Sequence, residues 1–395
     1  MNEEVSTKLT IAMVDDGVTD CIAGSFISTR RFSEGLSARG HTVLYVTARS
    51  RRHPTHDVHN GIRAYRFRSV LMPKSEGQLY LGFPTAGELE KVFTDERVGV
   101  VHTTATTPMA WAATKAAKKL GIPLVMHSHM QPENIFLHLP RFLPLARLNR
   151  AFYRYLHARY RKADAVVFPS AFAKGLLPAL HSMRHEVISN GVNTDIFRPR
   201  DPAPFFEKFG LDPANKHVLY LGRLHPEKSV DTLIRAVPRI LKGAPGTHIL
   251  IAGFGHLDTK LKRLAEELGV AEHVTFCGRL ADEELALAYS AADIYVLPSL
   301  AELEGMTVLE AMACGAPILI ADAKDSAATH FVDGNGSLFA PEDSADLAEK
   351  ALALLTDDDL RERSAAASLE LSRRYDIATS ITRLEELYRT LINTV

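Results

Sequence analysis

The amino-acid sequence predicts an α/β protein built of two doubly wound domains, and three observations carry that prediction. At 395 residues the chain is longer than one hydrophobic core usually organises. Short apolar runs alternate with helical patterns, the arrangement that builds a parallel sheet covered by helices on both faces. The alternation stops at a break rich in turn residues and proline, and then restarts.

In order along the chain, the first series of strands is expected at residues 9–14, 42–47, 98–103, 123–127, 165–168 and 186–189. Helical patterns lie between them, among them 25–39, closed by Gly40, and 108–120, closed by Gly121, where glycine supplies a left-handed stop. The break is Asn190-Gly191 followed by Phe197-Arg198-Pro199-Arg200-Asp201-Pro202-Ala203-Pro204, which continues neither a strand nor a helix. The second series places strands at 217–221, 247–252, 274–277, 293–297, 317–320 and 337–339. Residues 343–374 read as two surface helices, and 377–392 as an amphipathic helix with Ile381, Leu384, Leu387 and Leu391 on one stripe. The domains are therefore drawn at 1–195 and 196–376, with the last helix, 377–395, packing back on the first. Two such domains facing across a cleft would bind ligands at the carboxyl ends of their strands.

Composition narrows the function. The 46% hydrophobic content is that of a folded chain, and the formal net charge of −1 gives no support to nucleic-acid binding. That total hides a split: residues 1–195 carry 25 basic and 16 acidic side chains (+9), leaving 21 and 31 (−10) for residues 196–395. The amino-terminal half is the one expected to meet an anionic partner. The opening MNEEVSTKL lacks a basic region before an apolar run, and no run of about 18 apolar residues occurs, so a cytoplasmic protein is expected. Cys21, Cys277 and Cys314 read as buried free thiols in a reducing compartment.

Two segments carry chemistry. In the first, a strand ends at Leu297, a polar turn follows, and a helix is expected from about Met306. The amides of Gly305, Met306 and Thr307 then form a helix amino terminus suited to phosphate. Glu302 precedes that helix and Glu310 lies within it; a carboxylate accepts from two neighbouring hydroxyls at once, which suits a sugar diol. In the second, Gly222 turns the chain after a strand, and Arg223 and Lys228 are two cations able to neutralise a departing diphosphate. Taken singly, each has a plain alternative: solvated glutamates, and surface ion pairs.

Together these segments resemble the retaining glycosyltransferases of family four, with the GT-B fold: G-R-x-x-x-x-K at Gly222–Lys228 and E-x7-E at Glu302 and Glu310. The likeness extends to the runs at 189–197, 251–255, 276–280 and 309–315. It implies transfer of a sugar from a nucleotide diphosphate sugar, the donor substrate, to an acceptor hydroxyl with retention, without metal or other cofactor. It further implies that Arg223 and Lys228 hold the diphosphate, Glu310 the ribose, Glu302 and the Gly305, Met306 and Thr307 backbone the donor sugar, and Leu280 the base through its main chain. Gly24 matches the second glycine of the family's Gly-Gly loop, although position 23 is alanine. A further departure is Ala323-Lys324-Asp325-Ser326-Ala327, where many members have a glycine pair. His129 matches the family's active-site histidine, near donor sugar and acceptor; His127 is the lesser candidate and His102 reads as core or wall. No metal constellation is found: His127, His129 and Glu133 lack a fourth ligand.

Between Glu133 and Asp164 there is no acid, and seven cations interleave with Phe142, Phe152, Tyr153, Tyr155 and Tyr160. Residues 139–162 are thus a candidate surface for an anionic membrane, against the plain reading of a solvated helix with its aromatics in the core. The expectation is a retaining hexosyltransferase, catalytic residues His129 and Glu302, with UDP-glucose as donor and a membrane lipid as acceptor, peripheral at the inner face of the membrane. The alternatives are a soluble or polyprenyl-linked acceptor, and a non-catalytic nucleotide-sugar-binding partner.

Overall fold

The computed structural model describes residues 8–17, 19, 24–50, 53–72, 79–136 and 144–394. Cys21, Ala23 and residues 139–143 of the basic stretch lie outside the described residues. The chain divides into two compact units: unit 1 is Met1–Met130, Ala146–Asn190 and Ala378–Val395, and unit 2 is Gln131–Leu145 and Gly191–Ile377.

The first series runs β1 (Thr10–Val14), α1 (Gly24–Ala38), β2 (Thr42–Ala48), β3 (His56–His59), β4 (Ile62–Phe67), β5 (Ser69–Leu71), β6 (Tyr80–Gly82), α2 (Ala86–Asp95), β7 (Val100–Thr103), α3 (Pro108–Leu120), β8 (Leu124–His127), α4 (Pro132–Phe136), α5 (Leu145–Tyr160), β9 (Ala165–Phe168), α6 (Ala171–Gly175) and β10 (His185–Val187). The second runs α7 (Ala203–Phe209), β11 (Lys216–Leu221), α8 (Val230–Gly243), β12 (Thr247–Ala252), α9 (Asp258–Glu267), β13 (Val274–Gly278), α10 (Asp282–Ser290), β14 (Ile294–Leu297), β15 (Ala301–Glu302), α11 (Met306–Ala313), β16 (Ile318–Ala321), β17 (Asp325–Ser326), β18 (Gly336–Phe339), α12 (Ser344–Thr356), α13 (Asp358–Ser372) and α14 (Ile377–Ile392). Every strand expected from the sequence is present, with its ends within two residues of the expected position.

Unit 1 is a sheet in the order β10-β9-β8-β7-β1-β2-β4-β3, parallel except for the β3–β4 edge pair. The central strands are buried on both faces, as a helix-covered parallel sheet requires. β3 and β4 escape the apolar-run criterion because β4 alternates Ile62, Ala64 and Arg66 inward. Arg66 is held by both Asp57 oxygens, at 3.0 Å each, and so is tolerated where an apolar residue is the usual occupant. α14 folds with this unit: Gly35 of α1 leaves room for the Ile381 side chain, and Arg39 bonds the Ala378 carbonyl and Glu385.

Unit 2 is an all-parallel sheet in the order β13-β12-β11-β14-β16-β18. One buried cluster lies between the sheet and α10, α11 and α13, another between the sheet and α8, α9 and α12. Strand order reverses between β11 and β14, so the connections leaving these two neighbours depart to opposite sides. A crevice at their carboxyl ends is the general consequence.

Candidate functional site

The site is built on the loops that leave β11, β13 and β14. After β11 the chain turns at Gly222, whose amide bonds the Ala252 carbonyl at 3.0 Å, and Leu224 N bonds the Phe254 carbonyl at 2.9 Å. The loop after β12 lies close against this turn. Gly253 has φ +135°, and a Cβ there would stand 1.8 Å from the Gly222 carbonyl oxygen; at Gly255 it would stand 2.4 Å from that of Leu224. Glycine at 253 is therefore required by both conformation and space.

That turn presents the two cations predicted from the sequence. Arg223 is 43% exposed at its side chain and donates to Glu227 Oε1 at 3.1 Å, Glu227 itself being buried. Lys228 ends a 3₁₀ turn at Pro226–Lys228, and its Nζ stands 2.5 Å from Glu302 Oε1, both side chains 14% exposed. Glu302 is fixed by β15, which pairs with β17, and its carbonyl accepts from Ala327 N at 2.8 Å. Lys228 and Glu302, sequence neighbours of different strands, are thus brought into one ion pair.

Gly305 stands immediately before α11 with φ +109°, and the helix begins at Met306. The first amides of this eight-residue helix belong to Met306 and Thr307, both half-buried. Glu310, one turn on, is buried and accepts from the Tyr289 hydroxyl at 2.8 Å. Leu280 is buried just beyond β13.

Sequence reasoning missed the residues underneath. Tyr220 donates to the Arg223 carbonyl at 2.8 Å, Tyr295 to Thr307 Oγ1 at 2.7 Å, and Tyr289 to Glu310. Burial raises all three phenols far above their usual range, so they remain hydrogen-bond donors. Each pins one site residue from below. In a sequence a tyrosine within an apolar run reads as core, so only Glu227, four residues after Arg223, left a legible signal.

Unit 1 holds the other sequence-predicted residues. Gly24 is the exposed first residue of α1. His129 follows β8, with its ring stacked on His127. The sequence reading also passed over Asp15 and Asp16, which directly follow β1 where this sheet reverses order, beside β7. Asp15 Oδ2 accepts from Thr29 at 2.8 Å and from Thr104, and Asp16 Oδ1 from Gly82 N at 2.6 Å. Burial pushes Asp15 up to about 6 and Asp16 up to about 7. Among the described residues, no group of three or more His, Cys, Asp or Glu side chains is arranged to hold a metal ion.

Comparison with known proteins decides the family. The family model for Glycosyltransferase Family 4 matches residues 22–196, and that for Glycosyl transferases group 1 matches residues 203–370. The chain belongs to the GT-B glycosyltransferases. Among the relatives of this GT-B glycosyltransferase, sulfoquinovosyl transferase SQD2 of Arabidopsis thaliana is 29% identical over 72% of this chain and 55% of its own length. A phosphatidyl-myo-inositol mannosyltransferase of Mycobacterium leprae is 35% identical over 52% of this chain and 53% of its own. The chain thus spans about half the length of these curated relatives. The solved structure of Anabaena HepE in complex with UDP-glucose shares the fold, with a TM-score of 0.75 at 20% identity over 97% of this chain and 100% of that one.

Proposed function

We propose that this GT-B glycosyltransferase moves a hexose from a nucleotide diphosphate sugar to an acceptor hydroxyl, with retention at the anomeric carbon and without a metal. The observation that carries the reading is the grouping of Arg223, Lys228, Glu302, Glu310 and the start of α11 around the β11–β14 reversal. In it, Arg223 and Lys228 take the diphosphate, with the Met306 and Thr307 amides adding the positive end of a helix. Glu302 accepts hydroxyls of the donor sugar and Glu310 those of the ribose, while the main chain at Leu280 meets the base. Gly24 is read as a contact of the donor phosphate, and His129 as a contact of sugar and acceptor.

The bond from the anomeric carbon to the diphosphate oxygen breaks, and its electron pair leaves with the diphosphate. The acceptor oxygen bonds to the same face of the carbon, and its proton passes to the leaving phosphate oxygen. Two cations and helix amides neutralise the charge that develops there, the task a metal performs in other transferases. UDP-glucose is the first donor to test, a choice supported by the HepE complex of the same fold.

The acceptor is read as a membrane lipid. Arg147, Arg150 and Arg154 are exposed at i, i+3 and i+7 of α5, with Arg161 and Lys162 exposed just beyond it. They form one cationic stripe. The aromatics divide: Tyr160 is buried and Phe152, Tyr153 and Tyr155 half-buried, with Arg159 over the Trp111 ring at 4.6 Å. The names of the Mycobacterium and Arabidopsis relatives, which act on phosphatidyl-myo-inositol or transfer sulfoquinovose, support the choice. No helix of the described residues is long and apolar enough to cross a membrane.

The deciding experiment measures nucleotide diphosphate release over a panel of nucleotide sugars, with and without anionic vesicles containing diacylglycerol. Release from one donor, raised by vesicles, is expected. Release indifferent to vesicles moves the acceptor to a soluble or polyprenyl-linked molecule, and no release from any donor overturns the enzymatic reading in favour of a nucleotide-sugar-binding partner.

A further inference from the structure

Strands β7 and β8 set three imidazoles in one column inside unit 1. His102 stands opposite Val125 in the β7–β8 ladder, so it shares a sheet face with Val125 and with His127 two residues on. The rings of His102 and His127 stack with centroids 5.6 Å apart at 17°, and His127 stacks on His129 at 4.0 Å and 25°. The inner end is closed by α14: Tyr388 Oη lies 2.5 Å from His102 Nδ1, and its ring meets the imidazole edge-on. Phe32 of α1 packs against His127.

His127 is 1% exposed, and among the described residues neither of its nitrogens has a hydrogen-bond partner, nor has Nε2 of His102 or of His129. A neutral imidazole always carries one N–H, so His127 buries a donor without an acceptor. Packing alone is better served by a phenyl ring. What the column does achieve is orientation: flat rings 4.0 Å apart cannot tilt independently. It also excludes charge. Burial lowers His102 to about 3 and His129 to about 4, and holds His127 well below the ordinary imidazole range, with the column's own members adding to the effect at His102 and His127. Tyr388, itself kept protonated by burial, touches His102 at the inner end of the column.

We propose that His127 is a positioning residue that fixes the ring plane and neutral form of His129, with His102 and Tyr388 as the anchored end of the column. A neutral imidazole can accept a hydrogen bond from a sugar hydroxyl, which an imidazolium cannot. The inference rests on the reading of His129 as a sugar-contacting residue. It also makes α14, the last helix of the chain, part of that site.

The test is a pH series of long-range imidazole ¹H–¹⁵N spectra of the full chain labelled at histidine, with steady-state kinetics. In the unsubstituted protein His129 is expected to show one neutral tautomer down to about pH 5. In His127→Ala that signature gives way to averaged tautomers, its titration rises by about one unit, and kcat falls about 10-fold with donor KM unchanged. His127→Phe, which restores a flat ring, recovers both. His129 spectra and kcat unmoved by His127→Ala, or no recovery in His127→Phe, overturn the proposal. Should the alanine variant not fold, Tyr388→Phe decides: the His102 and His129 signals are expected to shift, and native signals at both refute the column. His129→Ala separates the two ideas, because native turnover there removes the sugar-contacting reading while the spectra still judge the positioning.

Discussion

The hydroxyl of Tyr289 bonds Glu310 from beneath the site at 2.8 Å. If Glu310 holds the donor ribose, losing the Tyr289 hydroxyl removes one hydrogen bond to that charged group and loosens its placement. Tyr289→Phe is therefore expected to raise donor KM about 10-fold, or ~1.4 kcal/mol, with kcat little changed. An unchanged KM disconnects Glu310 from donor binding. Asp16 gives a prediction of a different kind. Its folded pKa, pushed by burial to about 7, lies above the ordinary carboxyl value of 3.8. The folded state thus holds a proton that the unfolded state releases, and the stability this contributes is present at low pH and lost as pH rises from about 4 to about 7. Asp16→Asn cannot ionise, and at pH 7 it is expected to gain on the order of 1–2 kcal/mol over the parent, with little difference near pH 4. Urea unfolding midpoints at the two pH values check it, and a difference independent of pH refutes it. The buried histidines of the column act with the opposite sign: their lowered pKa values remove stability as pH falls below about 6.5.

Among the elements, the turn after β11 depends most on one backbone contact. A methyl group at Gly253 meets the Gly222 carbonyl, which is main chain and cannot rotate away, and φ +135° is itself costly for any other residue. Gly253→Ala is expected to destabilise the protein by roughly 3 kcal/mol and to lower donor affinity by displacing Arg223. An unfolding midpoint like the parent's sinks this account. The same turn explains what was legible before the fold was known. Gly222, Arg223, Lys228 and Gly305 stand in the loops that follow strands, where backbone conformation or charge dictates residue type, so their chemistry shows in the sequence. The tyrosines beneath them show only as apolar pattern, because nothing in a buried strand or helix marks which ring also supplies a donor. β4 was missed for a related reason: Arg66 lies inward, rescued by Asp57 from nine residues away. His102 and His127 were visible as histidines, but their stacking depends on the β7–β8 register, which sequence spacing alone does not supply.

At the scale of the whole molecule the charge divides along the chain, +9 over residues 1–195 against −10 over residues 196–395. With a nucleotide diphosphate read onto the acidic half, local cations must overcome a repulsive background, and the basic half is left for a larger anionic surface. Replacing Arg147, Arg150 and Arg154 together by serine is expected to weaken binding to anionic vesicles by about 3 kcal/mol, on the order of 100-fold, and to flatten its salt dependence. Sedimentation with vesicles measures it, and an affinity equal to the parent's assigns the stripe to solvent alone. Unit 1 also has an unusual composition for a chain made from one end. Ala378–Val395 completes it, filling the space above Gly35 and ending the imidazole column at Tyr388. On the ribosome most of unit 1 emerges first, yet it lacks its last element until α14, which follows unit 2 in the chain, has cleared the exit tunnel. The domain begun first is completed last, after the whole of its partner has had the opportunity to fold.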